Sequence, residues 1–266
     1  MGSDPEKIAV IGLGAMARAL IAALRARPAG LRVGAALVTS QGAGSLADGI
    51  ARFTSRDALL GWGPSLVVEC AGHAAVAEHV PPLLAAGTPV ILASIGALAD
   101  PALRLRVAQA TEAGGSLTLV PGAMGGLDVL RAARLAGLDS VVYCGTKPPS
   151  AWRGSHAETL VDLDAIEQPT TFFAGTAALA AQLFPKNANV CAAVALDGIG
   201  FDNTQVQLVA DPQALANRHS VTASGAFGRF EIVLDNAPLP DNPRTSWLAA
   251  LSVEAAVRQH FAPTPF

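Results

Sequence analysis

The strongest constraint on this chain is a six-residue turn, Gly12-Leu13-Gly14-Ala15-Met16-Ala17, which fits the pattern G-x-G-x-x-A. The apolar run Lys7–Gly12 leads into it. A helical periodicity over Ala15–Arg27 leads out and stops before Pro28. Gly12 permits a tight turn, Gly14 lets backbone approach a ligand, and the small Ala17 lets helix and strand come close. The helix start at Ala15 and Met16 offers free N–H groups and a positive dipole end to phosphate. An ordinary strand-to-helix turn is the alternative. The place of this turn at the head of a βαβ pattern favours the pyrophosphate of a dinucleotide. Gly12, Gly14, Ala15 and Met16 are therefore candidate cofactor-binding residues, with NAD or NADP as the cofactor. An acid expected about 20 residues on, to hold the ribose 2′-OH, is missing. Val38-Thr39-Ser40-Gln41 stands there, and no carboxylate follows before Asp48. This predicts weak discrimination between NAD and NADP.

The same alternation continues through the first half. Leu31–Ser40, Leu66–Ala71, Pro89–Ser94 and Ser116–Pro121 read as strands, and Ala74–Ala86 and Asp100–Ala113 as helices. Pro81 and Pro82 predict a kink or break in the first of these helices. Strands alternating with helices of about a dozen residues imply an α/β fold, here a Rossmann-like doubly wound parallel sheet over 1–121. The pattern then changes. Gly126–Ala136 reads as a helix and Ser140–Gly145 as a strand. Residues 146–170 are polar and unassigned, and whether they form a mobile lid is open. Gly175–Phe184 and Asn189–Leu196 read as helices broken at Phe184-Pro185-Lys186-Asn187. Thr204–Ala210, Asn217–Ser224 and Phe227–Leu234 alternate like antiparallel strands. This is a second, α+β domain over 122–242. Pro243–Phe261 reads as a closing amphipathic helix, with Asn242 as cap and Pro243 at the first helical position.

Composition narrows the partners. The 266 residues are 51% hydrophobic and 15% charged, with a net charge of -3 and no Lys/Arg cluster, so nucleic acid and anionic membrane are not expected partners. No apolar stretch reaches the roughly 18 residues that span a bilayer, and MGSDPEK shows no signal region. Cys70, Cys144 and Cys191 are far apart. They make neither a metal-ligand spacing nor a disulfide framework, so no metal is expected and a reducing cytoplasm fits.

Among five histidines, His73 and His79 flank an Ala-rich helix, and His260 suits the dipole of a helix C-terminus. His156 lies in the polar region with nothing to single it out. His219 differs: it shares a strand face with Val221 and Ala223, while Arg218, Ser220 and Thr222 face the other way. It is either a satisfied core residue or, if it borders a pocket, the natural general acid/base. Lys186-Asn187-Ala188-Asn189 places two carboxamides and a lysine at a helix start, one Asn being explained by capping. Pro121-Gly122-Ala123-Met124-Gly125-Gly126 follows the last parallel strand, at the carboxyl edge where such sheets bind ligands. It serves either as a backbone platform for the nicotinamide half of a cofactor or as a plain interdomain crossover.

These segments together resemble the L-aspartate dehydrogenases. The resemblance rests on the GLGAMA turn, VVECAGH at 67–73, GAMGGLD at 122–128, TKPP at 146–149 and FPKNANVCAAVAL at 184–196. It continues with ADP at 210–212, NRH at 217–219 and NAPLPDNPRTS at 236–246. It implies oxidation of the small molecule L-aspartate by NAD(P)+ to iminoaspartate, and hydrolysis of this by water to oxaloacetate and ammonia, with the imine also able to feed NAD biosynthesis. It implies a homodimer, with the final helix over 243–266 packing back on the first domain. It puts His219 on the catalytic position and Ala123 and Asn189 on cofactor-contacting positions. Lys186, Asn187, Arg218 and Thr245 are candidate ligands for the substrate carboxylates. The rivals are another reductase on this scaffold, of the semialdehyde or dihydrodipicolinate type, and a non-catalytic dinucleotide sensor. No Cys at a helix start supports the semialdehyde version.

Overall fold

A computed structural model describes residues 6–26, 30–39, 49–239 and 242–262. The chain divides into two compact units, one of 1–120 with 250–266 and one of 121–249.

In the first unit, β1 (Ile8–Ile11) runs into α1 (Ala15–Ala26), β2 (Val33–Leu37), β3 (Ala51–Phe53), α2 (Arg56–Trp62), β4 (Leu66–Glu69), α3 (His73–Ala85), β5 (Val90–Leu92), α4 (Pro101–Glu112) and β6 (Leu117–Leu119). The six strands are parallel in the order β3-β2-β1-β4-β5-β6. The chain reverses its winding between β1 and β4, which places a ligand crevice beyond their carboxyl ends. Ile8, Val10, Leu20, Leu24, Leu66, Val68 and Ile91 form the core, each 5% exposed or less. Each such side chain contributes roughly 1.5–3 kcal/mol.

The prolines of α3 do not break it: His73–Ala85 is one helix. Pro81 cannot donate to the carbonyl of Ala77, and the guanidinium of Arg106 donates to that carbonyl instead, at 3.2 Å. The short edge strand β3 and helix α2, capped by the Ser55 hydroxyl and closed by Gly63 at φ +74°, extend the expected sheet.

The second unit follows with α5 (Leu127–Arg134), β7 (Leu138–Lys147), β8 (Thr170–Thr176), α6 (Ala177–Leu183), α7 (Ala188–Asp197), β9 (Gln205–Ala210), β10 (Asn217–Gly225), β11 (Gly228–Asn236), β12 (Pro238–Leu239) and β13 (Asn242–Ser246). Its main sheet has the order β11-β10-β7-β9-β8. β8 is an addition to the expected strands. In 146–170 the structure holds two short 3₁₀ turns, 149–152 and 156–159. Trp152 anchors them: it is fully buried against Phe172 and Phe184 and donates its indole N–H to the carbonyl of Val209 at 3.1 Å.

The last helix, α8, spans Trp247–Phe261, so the expected helix start at Pro243 is wrong. Asn242–Ser246 pairs with Pro238–Leu239 as a two-stranded ribbon. The Trp247 N–H donates to the carbonyl of Ala237 at 2.9 Å. Strand pairing outcompetes the local cap-and-proline signal. Val253 and Val257 of α8 belong to the core of the first unit. Among the described residues, no helix is long and apolar enough to cross a membrane.

Candidate active site

In the first unit the glycine turn sits at the carboxyl end of β1. Gly12 has φ +84°, and a Cβ there would lie 2.9 Å from the Cβ of Ala71. Its N–H donates to the carbonyl of Leu37 at 2.9 Å. Gly12 is thus fixed both by conformation and by the neighbouring loop. Gly14 is different: a Cβ there would meet nothing within 4 Å. Its glycine preserves open room beside the start of α1, whose first turn carries no acidic residue. Gly12, Gly14, Ala15 and Met16 therefore fit a pyrophosphate. Val38 gives its N–H to Phe53 at the end of β2, but Ser40 and Gln41, on which the missing-acid expectation rests, lie outside the described residues.

Ala71 is held by a residue that the sequence pattern did not single out. Glu69 is fully buried at the end of β4. Its Oε1 accepts from the N–H of Ala71 at 2.7 Å, the N–H of Gly72 at 2.8 Å and the Ser94 hydroxyl at 3.1 Å. Its Oε2 accepts from the Ser94 N–H at 2.9 Å. One carboxylate ties the loops after β4 and β5 together beneath the glycine turn.

In the second unit the register pairs His219 of β10 with Gly145 of β7. Side chains alternate along a strand, so Tyr143 and Lys147 flank that position on the same face. His219 is 4% exposed and Tyr143 2%. The tyrosine Oη lies 2.7 Å from His219 Nδ1. Gly145 is needed for this contact, because a Cβ there would stand 2.8 Å from the tyrosine oxygen. Lys147 Nζ donates to Asn187 Oδ1 at 2.6 Å and lies 5.1 Å from the centre of the Trp152 ring. Burial lowers the His219 pKa to about 3, with the nearby Lys147 charge adding to the effect. Burial also lowers that of Lys147 to about 8, and it raises Tyr143 well above its usual range. The imidazole is neutral at working pH, beside an amine that is largely protonated.

If Nδ1–H donates to the tyrosine oxygen, Nε2 is left as an acceptor. If the tyrosine O–H donates to Nδ1, Nε2–H is a donor. The first tautomer suits a base.

The 121–126 turn packs on β11. The Asn236 amide donates to the carbonyl of Ala123 at 3.0 Å, and a Cβ at Gly126 would lie 2.3 Å from Ile232 Cδ1. Ala123 and Met124 are buried. Asn187 is the N-cap residue of α7, yet its side chain makes no cap bond. Its oxygen goes to Lys147 instead, so the capping expectation fails for Asn187. Asn189 sits in the first turn of α7. Arg218 forms a two-pronged ion pair with Asp235, at 2.7 and 3.0 Å, on the exposed face opposite His219, which removes it as a ligand at this site. The Lys186 side chain lies outside the described residues. In the same unit His156 meets the Thr159 hydroxyl at 3.1 Å and the edge of the Phe184 ring. Lys147, Tyr143, Glu69 and Asn236 were missed as individual residues. The signal for the first two was the strand 138–147 read to its full length.

All three cysteines are free. Burial raises each thiol pKa, that of Cys191 to about 12, so none is a ready thiolate nucleophile.

Residues 12–121 match the family described as homoserine dehydrogenase, NAD binding domain. Residues 128–260 match the one described as aspartate dehydrogenase, C-terminal. The L-aspartate dehydrogenase of Pseudomonas aeruginosa is 45% identical, covering 95% of this chain and 97% of that protein. That of Ruegeria pomeroyi is 46% identical, covering 98% and 96%. The crystal structure of aspartate dehydrogenase from Thermotoga maritima is similar with a TM-score of 0.78 at 26% identity, covering 98% and 99%. Dihydrodipicolinate reductase from Paenisporosarcina sp. TG-14, at 13% identity and a TM-score of 0.52, shares the fold alone.

Proposed function

Because the chain belongs to the L-aspartate dehydrogenase family, we propose that it oxidises L-aspartate to iminoaspartate with NAD+ or NADP+, the imine then hydrolysing to oxaloacetate and ammonia. The observation that carries the chemistry is the buried, neutral imidazole of His219, tied through Nδ1 to Tyr143. When bound, the nicotinamide supplies the acceptor for the hydride that leaves C2. The C2–H electron pair departs, the nitrogen lone pair forms the C=N bond, and the amine loses a proton. His219 Nε2 takes that proton and returns it to the imine nitrogen; free again, it takes a proton from the attacking water and passes it to the nitrogen that leaves as ammonia. A dicarboxylate beside the ring raises its proton affinity. The imidazole therefore becomes an effective base once substrate is in place.

Gly12, Gly14, Ala15 and Met16 take the pyrophosphate, and Ala123 and Asn189 contact the rest of the cofactor. Support for Ala123 comes from the fixed turn that Asn236 holds. Choice between NAD and NADP is relaxed. The dinucleotide domain is 1–121 with the final helix, and the catalytic domain 122–242. The reaction runs in both directions, its imine available to NAD biosynthesis. The enzyme works as a homodimer in the reducing cytoplasm, which suits its three free thiols.

The test is a stoichiometry. Purified protein with L-aspartate and NAD+ or NADP+ should form one ammonia per reduced nicotinamide. Reduction without ammonia release would refute the proposal.

A further inference from the structure

Among the groups around His219, Lys147 is the one whose charge the protein leaves uncompensated. Its Nζ meets the Asn187 carboxamide and the Trp152 ring, both neutral. None of the ion pairs among the described residues includes it. The nearby cation Arg218 is, by contrast, fully engaged by Asp235. Asp211, which follows the partner strand of Lys147, uses a carboxylate oxygen to accept the N–H of Gln213. Lys147 is partly buried, and withdrawing even part of an ammonium's surface from water without an anion is costly. A folded protein tolerates it where a ligand brings the counter-ion. Asn187 points the same way. As N-cap of α7 its side chain could take a helix N–H, yet it turns to orient the amine.

We propose that Lys147 holds one carboxylate of the substrate and sets the preference of the His219 site for dicarboxylates over monocarboxylates. This rests on the assignment as an aspartate dehydrogenase. It has a chemical consequence. The Lys147 charge opposes protonation of His219, so an anion on Lys147 relieves that opposition as substrate enters. Lys147 thus couples occupancy of the site to the strength of its base.

The experiment compares succinate with butyrate as inhibitors of the NAD+-loaded enzyme, in the wild type, Lys147→Met and Lys147→Arg. In the wild type, succinate should inhibit at least 10²-fold more tightly than butyrate, roughly the strength of one desolvated ion pair. In Lys147→Met the two should fall within about threefold of each other. The aspartate KM should rise roughly 10²-fold while the Kd for NADH moves less than about twofold. Lys147→Arg should keep most of the succinate preference. A residue of merely structural importance would weaken both inhibitors alike. A wild-type succinate preference retained in Lys147→Met overturns the proposal, and so does an equal loss of both inhibitors. Should Lys147→Met not fold, Lys147→Gln carries the same comparison. If the wild type fails to oxidise aspartate, the assignment as an aspartate dehydrogenase falls instead. Calorimetric titration of succinate into the NADH-bound proteins would still read the role of Lys147.

Discussion

Replacing Glu69 by Gln tests whether one buried carboxylate organises the loops under the glycine turn. The carboxylate accepts four hydrogen bonds and donates none. Glutamine has one oxygen and one NH₂. If its oxygen takes the place of Oε1, three bonds survive, each falling from a charged to a neutral acceptor at a cost of about 1 kcal/mol. The NH₂ then faces the Ser94 N–H, and an unsatisfied buried donor costs about 1–3 kcal/mol. The neutral amide is cheaper to bury than a carboxylate, which offsets part of this. The net expectation is about 2–4 kcal/mol of lost stability, read as a lower urea midpoint with little change in slope. Because Ala71 abuts Gly12, NADH affinity should fall as well, while the succinate affinity of the second unit stays within about twofold. Ser94→Ala removes only the hydroxyl donor and should cost about 1 kcal/mol or less. A Glu69→Gln protein within about 0.5 kcal/mol of wild type, with normal NADH binding, would refute the reasoning.

His219→Ala should lower kcat by roughly 10²–10⁴-fold and leave the Kd for NADH nearly intact; near-normal turnover by steady-state kinetics would sink its role as base. Gly14→Val places its side chain in open room, so thermal stability should hold while the Kd for NADH rises roughly 10²-fold. Gly12→Val should instead lower the melting temperature, since its Cβ strikes Ala71. The imidazole of His219 refuses a proton in the folded state down to about pH 3, whereas an unfolded histidine titrates near 6.5. Between those values the unfolded chain binds the extra proton, so stability falls as pH falls, by about 1.4 kcal/mol per unit from this group. His219→Gln should flatten urea midpoints across that window, and an unchanged slope would contradict the burial of the ring.

The sequence made the first unit legible because its signals are local. A glycine turn, short apolar strands and helices of regular length recur with short connections. β3 escaped because Ala51–Phe53 is three residues long, with Arg52 at its centre. The break expected at Pro81 did not occur, and the reason is non-local: the donor that satisfies the Ala77 carbonyl is Arg106, 29 residues away. The helix expected from Pro243 failed likewise, because pairing with Pro238–Leu239 decides that segment.

In the candidate site, the period-2 face correctly turned His219 inward and Arg218 outward. Nothing in the local pattern could say that β10 pairs with β7 in the register His219–Gly145. Without that register Tyr143 and Lys147 have no visible relation to the histidine. Asn187 was legible as a cap or a polar site residue, but its bond to Lys147 was not, since capping is a local rule and Lys147 lies 40 residues upstream.

The central claim is that the reaction joins or separates ammonia and a keto acid at a nicotinamide. It is tested most directly in the reverse direction, by following the reduced-nicotinamide absorbance of protein mixed with NADH or NADPH and oxaloacetate. Absorbance should fall only when ammonia is added as well. A fall without ammonia would identify a different reductase, and no fall with both present would contradict a dehydrogenase altogether.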